Sequence, residues 1–114
     1  MLKVFGIKNC NSMKKAFDLL QAKGLSYEFH DYKKQGIDSD TLTRWFAEIG
    51  ADTVLNKKGT TWRKLTPEQQ SAALASHTGL IEVLQQNTSL IKRPIIETEQ
   101  GYIVGFDEEK IIAL

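Results

Sequence analysis

The chain has 114 residues, 41% of them hydrophobic and 25% charged, with a formal net charge of +1. That is one domain's worth of chain, able to bury roughly two-thirds of its unfolded surface without a disulfide or metal to hold it. The charge gives no electrostatic reason to bind nucleic acid or a membrane; a single cysteine excludes an intramolecular disulfide, and two distant histidines, His30 and His77, lack metal-ligand spacing.

Residues 1–9 (MLKVFGIKN) are too short and polar for a signal peptide, and no run approaches about 18 apolar residues, so a soluble cytoplasmic protein is expected. The sequon Asn87-Thr88-Ser89 is then without consequence. Residues 2–7 (LKVFGI) are rich in β-formers and lead into a turn at Cys10. From Ser12 the apolar positions Met13, Ala16, Phe17 and Leu20 recur at helical spacing, and Gly24 stops the run. SYEFHDY (26–32) alternates, with Tyr27 and Phe29 on one face, and reads as a second strand. Strand, helix and strand within about 30 residues form a βαβ unit, which implies a parallel pair with a right-handed crossover.

Leu42, Trp45, Phe46 and Ile49 then make a helical stripe, capped by Asp38 or Ser39 and followed by Gly50. NKKG (56–59) is a turn. In TPEQ (66–69), Thr66 is a cap, Pro67 stands at the first helical position and Gln69 closes a capping box, so a helix runs to about Ala75. Another is expected over 78–86. PIIET (94–98) and YIVGF (102–106) flank Glu99-Gln100-Gly101 as an antiparallel hairpin, and Asp107 caps a short terminal helix.

The predicted order is βαβ, three helices, then ββα. It describes a single α/β domain over 1–114 with a mixed, thioredoxin-like sheet. The two halves of that sheet, about 1–33 and 90–114, are separated by a helical insertion over about 36–89.

In this arrangement Cys10 enters the first helix. Unpaired backbone N–H groups and the positive end of the helix dipole gather there, and both favour a thiolate. Lys14 and Lys15 are expected in the first turn, where cations oppose the dipole at a cost of a few tenths of a kcal/mol each. Such a broken local rule marks a functional site and would concentrate positive potential on the sulfur. A lone cysteine is more often a small buried hydrophobe; the strand-to-helix position argues for the nucleophile instead. Met13 stands where a dithiol oxidoreductase carries its second cysteine, so turnover has to recruit an external thiol, glutathione being the natural one.

LIKRPII (90–96) holds Arg93 with no carboxylate in the segment, and Pro94 before a β-rich run. Arg93 reads either as an anion clamp or as a snorkelling surface residue. The loop before the hairpin lies beside the cysteine loop in a thioredoxin-like sheet, which favours the clamp. NKKGTTWRKL (56–65), with Lys57, Lys58, Arg63 and Lys64 around Thr60, Thr61 and Trp62, reads either as one wall of an anionic-substrate cleft or as a solvated loop anchored by Trp62. Trp45 and Phe46 read as core, and His30 and His77 as structural or surface residues.

Taken together, Cys10 with its loop, VLNKKGTTWRKL, LIKRPI and VGFDEE resemble the arsenate-reductase (ArsC) family, in its Spx and YffB-like branch, over essentially the whole chain. The resemblance implies Cys10 as redox nucleophile and a cis-proline at Pro94 beside Arg93. It further implies substrate or glutathione contacts from Asn11, Ser12, Lys14, Arg93 and Pro94, with Lys8, Lys57, Thr61 and Arg63 as further candidates. Glutathione would serve as co-substrate, with no bound cofactor or metal and with glutaredoxin as a partner. Arsenate reductases of the family carry three arginines around the thiol; a gap-free reading puts Asn56 and Phe106 at two of those places, leaving Arg93. The redox-switch regulators use a Cys-x-x-Cys pair, which Met13 removes. A monothiol glutathione-dependent thiol reductase is therefore expected. The alternatives are an Spx-like module that binds RNA polymerase with a non-catalytic thiol, and a true arsenate reductase.

Overall fold

The computed structural model describes residues 2–114; Met1, which the expected sheet half includes, lies outside the described residues. The chain opens with β1 (Leu2–Gly6), α1 (Asn11–Ala22), β2 (Tyr27–Asp31) and the one-turn helix α2 (Tyr32–Gln35). There follow α3 (Ser39–Glu48), α4 (Ala51–Val54), α5 (Thr60–Lys64), α6 (Pro67–Ala75) and α7 (His77–Gln86), then a 3-10 turn at Thr88–Leu90. The chain closes with β3 (Ile95–Thr98), β4 (Gly101–Val104) and α8 (Glu108–Ile112).

Two compact units emerge. The first runs through Gln35 and resumes at Arg93–Leu114; the second is Gly36–Lys92. Leu90, Ile91 and Lys92 are tied to the second unit by backbone bonds. The Asn56 N–H donates to the Leu90 carbonyl at 2.7 Å, Ile91 bridges Leu55, and the Lys92 N–H donates to the Val54 carbonyl at 2.8 Å.

The first unit is a mixed four-stranded sheet of order β2-β1-β3-β4. β1 pairs parallel to β2, while β3 runs antiparallel to both β1 and β4. Alternation along β1 sends successive side chains to opposite faces. Val4 joins Ile96 and Ile103 beneath Met13, Ala16 and Leu20 of α1 and Ile111 of α8, all buried. Gly6 belongs to the same face, where a Cβ would fall on the Met13 thioether. Met13 is therefore a core residue whose seat requires the glycine. Phe5 points to the other face and gathers His30 and Tyr32, with ring centroids 4.9 and 6.5 Å away.

The register decides where the functional residues meet. Gly6 stands opposite Asp31, and Phe5 opposite Ile95. One end of the sheet therefore carries the β1–α1 loop, the start of α2 and the Arg93-Pro94 segment. The Gly105 N–H donates to the Pro94 carbonyl at 2.8 Å and ties the end of β4 to the same place.

The second unit departs from the expected three helices. Between β2 and β3 the chain forms six helices and a 3-10 turn, α2 belonging to the first unit and α3–α7 to the second. The additional helices, α2, α4 and α5, are four to five residues long. A single turn shows no apolar periodicity, so the pattern that finds α3 passes over them. Just after the expected turn at 56–59, Thr60 begins α5. The caps are as read: Asp38 accepts from the Thr41 N–H at 2.7 Å, and Asp107 from the Lys110 N–H at 3.2 Å. Thr66 and Gln69 close a reciprocal box at 3.1 and 2.9 Å. Thr66→Ala should lower stability by about 1 kcal/mol, read as a reduced urea midpoint at constant slope; an unchanged midpoint would show the box to be idle. His77 packs on Phe46 at 5.0 Å between ring centroids and is structural.

Candidate active site

β1 ends at Gly6, and α1 begins at Asn11. Four residues must reverse the chain between them. Asn9 supplies the bend with φ 61°, a left-handed conformation that asparagine adopts more readily than most residues. Cys10 then takes extended backbone angles (φ −117°, ψ 133°) as the N-cap of α1, and its carbonyl accepts the Lys14 N–H at 3.0 Å. The thiol is thus placed at the helix start itself, where the first N–H groups lack helical partners.

The thiol makes no capping hydrogen bond of its own. Its pKa is nonetheless held below the ordinary thiol value. Burial is the largest single influence and pushes it up; the Met13 N–H, the Arg93 guanidinium and the Ser12 N–H together outweigh that, because each favours the charged form. Here the structure corrects the sequence reading. Lys14 closes the first turn, Lys15 starts the second, and neither is among the groups that move the sulfur. The charge that matters comes from Arg93, 83 residues along the chain, and the rest from the backbone.

Arg93 reaches this position because its segment precedes β3, next to β1. Its peptide bond to buried Pro94 is cis. Below it lies Tyr32, 1% exposed, whose hydroxyl makes no hydrogen bond among the described residues. Burial pushes the Tyr32 pKa well up, Arg93 opposing and Glu97 adding, so the phenol stays neutral through the physiological range. Sequence reasoning missed Tyr32. The sequence places it at the end of the second strand, whereas β2 stops at Asp31 and Tyr32 begins α2.

A cleft of about 410 Å³ opens at the thiol. Lys8, Asn9, Asn11 and Lys14 contribute its polar wall, Met13 and Phe17 its apolar wall, and Asp18 its carboxylate. Of the expected site residues, Cys10, Asn11, Lys14 and Lys8 line this cleft together, Ser12 acts through its N–H, and Arg93 meets the sulfur. A larger depression of about 520 Å³ lies at the opposite end of the sheet against Leu2, Leu25 and Leu114, away from the thiol. Lys57, Thr61 and Arg63 belong to the second unit. There Lys57 holds its ammonium 5.9 Å from the Trp62 ring centroid, while Thr61 and Arg63 ride on α5.

The two positions that replace arginines have roles of their own. Asn56 accepts the Lys58 N–H at 3.1 Å through its side chain, a local turn in the second unit. Phe106 packs against the first unit's core, with the Lys15 ammonium 6.0 Å from its ring centroid. Neither offers a guanidinium. Among the described residues no helix is long and apolar enough to cross a membrane.

A model of the ArsC family matches residues 5–114. An uncharacterized protein of Haemophilus influenzae is 41% identical over 110 residues, covering 96% of this chain and 95% of its own. A global transcriptional regulator Spx of Streptococcus agalactiae is 26% identical, covering 99% and 82%. Among solved structures, a YffB protein superposes with a TM-score of 0.90 at 42% identity, covering 99% of this chain and 97% of its own. An arsenate reductase (ArsC) related protein from Brucella melitensis gives 0.74 at 38% identity, covering 98% and 92%.

Proposed function

This chain belongs to the ArsC family, with its α/β thioredoxin-like, arsenate-reductase-like fold, and from that premise we propose that it is a monothiol, glutathione-dependent thiol reductase with Cys10 as nucleophile. One observation carries the reading: the only sulfur nucleophile in the sequence caps a helix, beside an arginine, with its pKa lowered. In the proposed cycle the Cys10 thiolate attacks the glutathione sulfur of a mixed disulfide. A new S–S bond forms, the old one breaks, and the released thiol leaves reduced. A second glutathione thiolate then attacks the Cys10–glutathione disulfide, freeing Cys10 and leaving as oxidised glutathione. Over one cycle, one glutathione thiol and one mixed disulfide enter, and the reduced substrate thiol and one oxidised glutathione leave. Arg93 and Lys14 face the anionic ligand, with Asn11 and the Ser12 N–H beside the sulfur.

The arginine count argues against arsenate as the preferred substrate. An oxyanion with charge on several oxygens benefits from several forked donors. In this sequence two of the family's three arginine places hold Asn56 and Phe106. One arginine suits one carboxylate. Steady-state turnover of arsenate and of the mixed disulfide of glutathione with 2-mercaptoethanol, at equal enzyme and glutathione, tests this. The disulfide should turn over at least about tenfold faster, as expected for losing charge-assisted contacts to the oxyanion. Comparable arsenate turnover would mean that the missing arginines do not count.

Similarity to transcriptional regulators over 99% of the chain supports a second reading, a module that binds RNA polymerase with a thiol that does no chemistry. Iodoacetamide alkylation against pH separates the two. A midpoint at the ordinary thiol value favours the regulator, and a clearly lower one favours the reductase.

A further inference from the structure

We propose that Tyr32 is a positioning residue for Arg93: its buried hydroxyl is the acceptor that the guanidinium takes when the Cys10 sulfur carries no charge. This rests on the thiolate reading of Cys10 and gives a role to a polar atom that the proposed cycle leaves unused. Its own evidence is a buried hydroxyl without a hydrogen bond, locked in place at the level of the arginine segment.

Tyr32 opens α2 and is 1% exposed, yet its hydroxyl has no hydrogen-bond partner among the described residues. Phe5 and His30 hold the ring, with centroids 6.5 and 6.2 Å away. The turn that carries it is tied down as well. Buried Asp31 accepts the Lys33 N–H at 2.9 Å, and the Asp31 N–H donates to the Gln35 side-chain oxygen at 3.2 Å. The strand register brings the arginine to the same level. β1 sets Gly6 opposite Asp31 on one side and Phe5 opposite Ile95 on the other. Continued past the last pairs, both registers meet at Ile7, with Tyr32 on one flank and Arg93 on the other. Two strand spacings of about 4.8 Å each separate the flanks, a gap that two long side chains span. Beyond burial, which dominates, Arg93 and Glu97 are the charges that act on the phenol, the first favouring its ionised form and the second opposing it.

Buried hydroxyls are nearly always bonded, and an unbonded one costs free energy that a phenylalanine would not. A ring that serves only as packing has no need of the oxygen. Arg93 supplies the need. While Cys10 is a thiolate, the guanidinium bonds its sulfur. Protonation removes the negative charge, as does a disulfide to a ligand without a carboxylate, and the charge-assisted bond weakens with it. A guanidinium carries five N–H donors and accepts nothing, whereas a neutral phenol oxygen accepts as it stands. Arg93 therefore has two seats, one at the charged sulfur and one at Tyr32. The second seat stabilises the neutral sulfur and so works against the thiolate.

The test compares Tyr32→Phe, Arg93→Ala and the double variant by iodoacetamide alkylation against pH and by urea unfolding. Tyr32→Phe deletes only the oxygen and keeps the ring between Phe5 and His30, so the variant is expected to fold. Its alkylation midpoint should fall below the wild-type value by about 0.5–1 pH unit, the shift expected when a neutral hydrogen bond is lost from the protonated state alone. Arg93→Ala should move the midpoint the other way. Without the guanidinium the hydroxyl has nothing to accept, so the double variant should match Arg93→Ala within about 0.3 unit. Above the midpoint, where the sulfur is charged, Tyr32→Phe should unfold at the same urea concentration as wild type or a higher one; below it, at a lower one. An unchanged or raised midpoint in Tyr32→Phe overturns the second seat. So does a shift that persists at full size without Arg93, which would mean that the hydroxyl acts on the sulfur directly. An equal loss of stability at every pH also overturns it, because the hydroxyl would then be bonded in the thiolate state too. A wild-type midpoint at the ordinary thiol value is a separate failure, that of the thiolate reading itself.

Discussion

Cys10→Ser should abolish the proposed thiol-dependent turnover, to the level of the uncatalysed reaction. The sequence holds one cysteine, so nothing in the chain can take over the attack or resolve an intermediate. The serine hydroxyl preserves the extended cap and fits the N-cap better than a thiol, so the variant should fold normally. The wild-type pH profile carries the same logic. A free thiol ionises near about 8.5, whereas the Met13 and Ser12 N–H groups and Arg93 hold Cys10 below the ordinary value despite its burial. A depressed acid is charged in the folded state at pH values where the unfolded chain is still protonated. Alkylation should therefore reach its plateau at lower pH than a free cysteine and fall as pH drops through the lowered pKa. The small stabilisation that the charged form contributes is lost over the same interval. Turnover remaining in Cys10→Ser, measured with the glutathione mixed disulfide, would remove Cys10 from the mechanism.

What the sequence revealed of this site follows from what is local in it. The position of Cys10 after a β-rich run and before an amphipathic stripe places the thiol at a helix start, and the hairpin after Pro94 places Arg93 beside it. Both are patterns of a few residues. The source of the charge was not legible, because Lys14 and Lys15 are near in sequence, while the guanidinium that acts on the sulfur is brought by the pairing of β3 with β1. Met13 was recognised as an absent cysteine; its positive role, filling the space that Gly6 leaves, depends on two elements packing. Tyr32 escaped for a related reason. α2 is a single turn whose order comes from Asp31 and Gln35 side-chain bonds, with no periodicity to find. Asn9 gave no signal at all, since asparagine in a loop is ordinary until its φ is seen.

Arg93→Ala should damage both halves of the proposed chemistry, and separable readouts distinguish them. On the thiol, losing the guanidinium removes a hydrogen bond and a positive charge from the charged form, while the Met13 and Ser12 N–H groups stay. The alkylation midpoint therefore moves up, and the plateau at high pH, where the thiol is fully ionised anyway, is retained or rises as the nucleophile becomes more basic. On the ligand, one charge-assisted contact to a carboxylate is lost, about 1–3 kcal/mol, which corresponds to roughly 5- to 150-fold in affinity. Arg93→Lys separates charge from geometry. A lysine keeps the positive charge but not the fork, so it should restore part of the midpoint shift and less of the ligand affinity. Urea unfolding of each variant tests whether the sheet end is intact, with Pro94 and its bond from Gly105 left in place. A midpoint that stays where it is in Arg93→Ala would assign the lowered Cys10 pKa to the helix start alone and leave Arg93 as a ligand contact. An unchanged affinity as well would take the arginine out of the site.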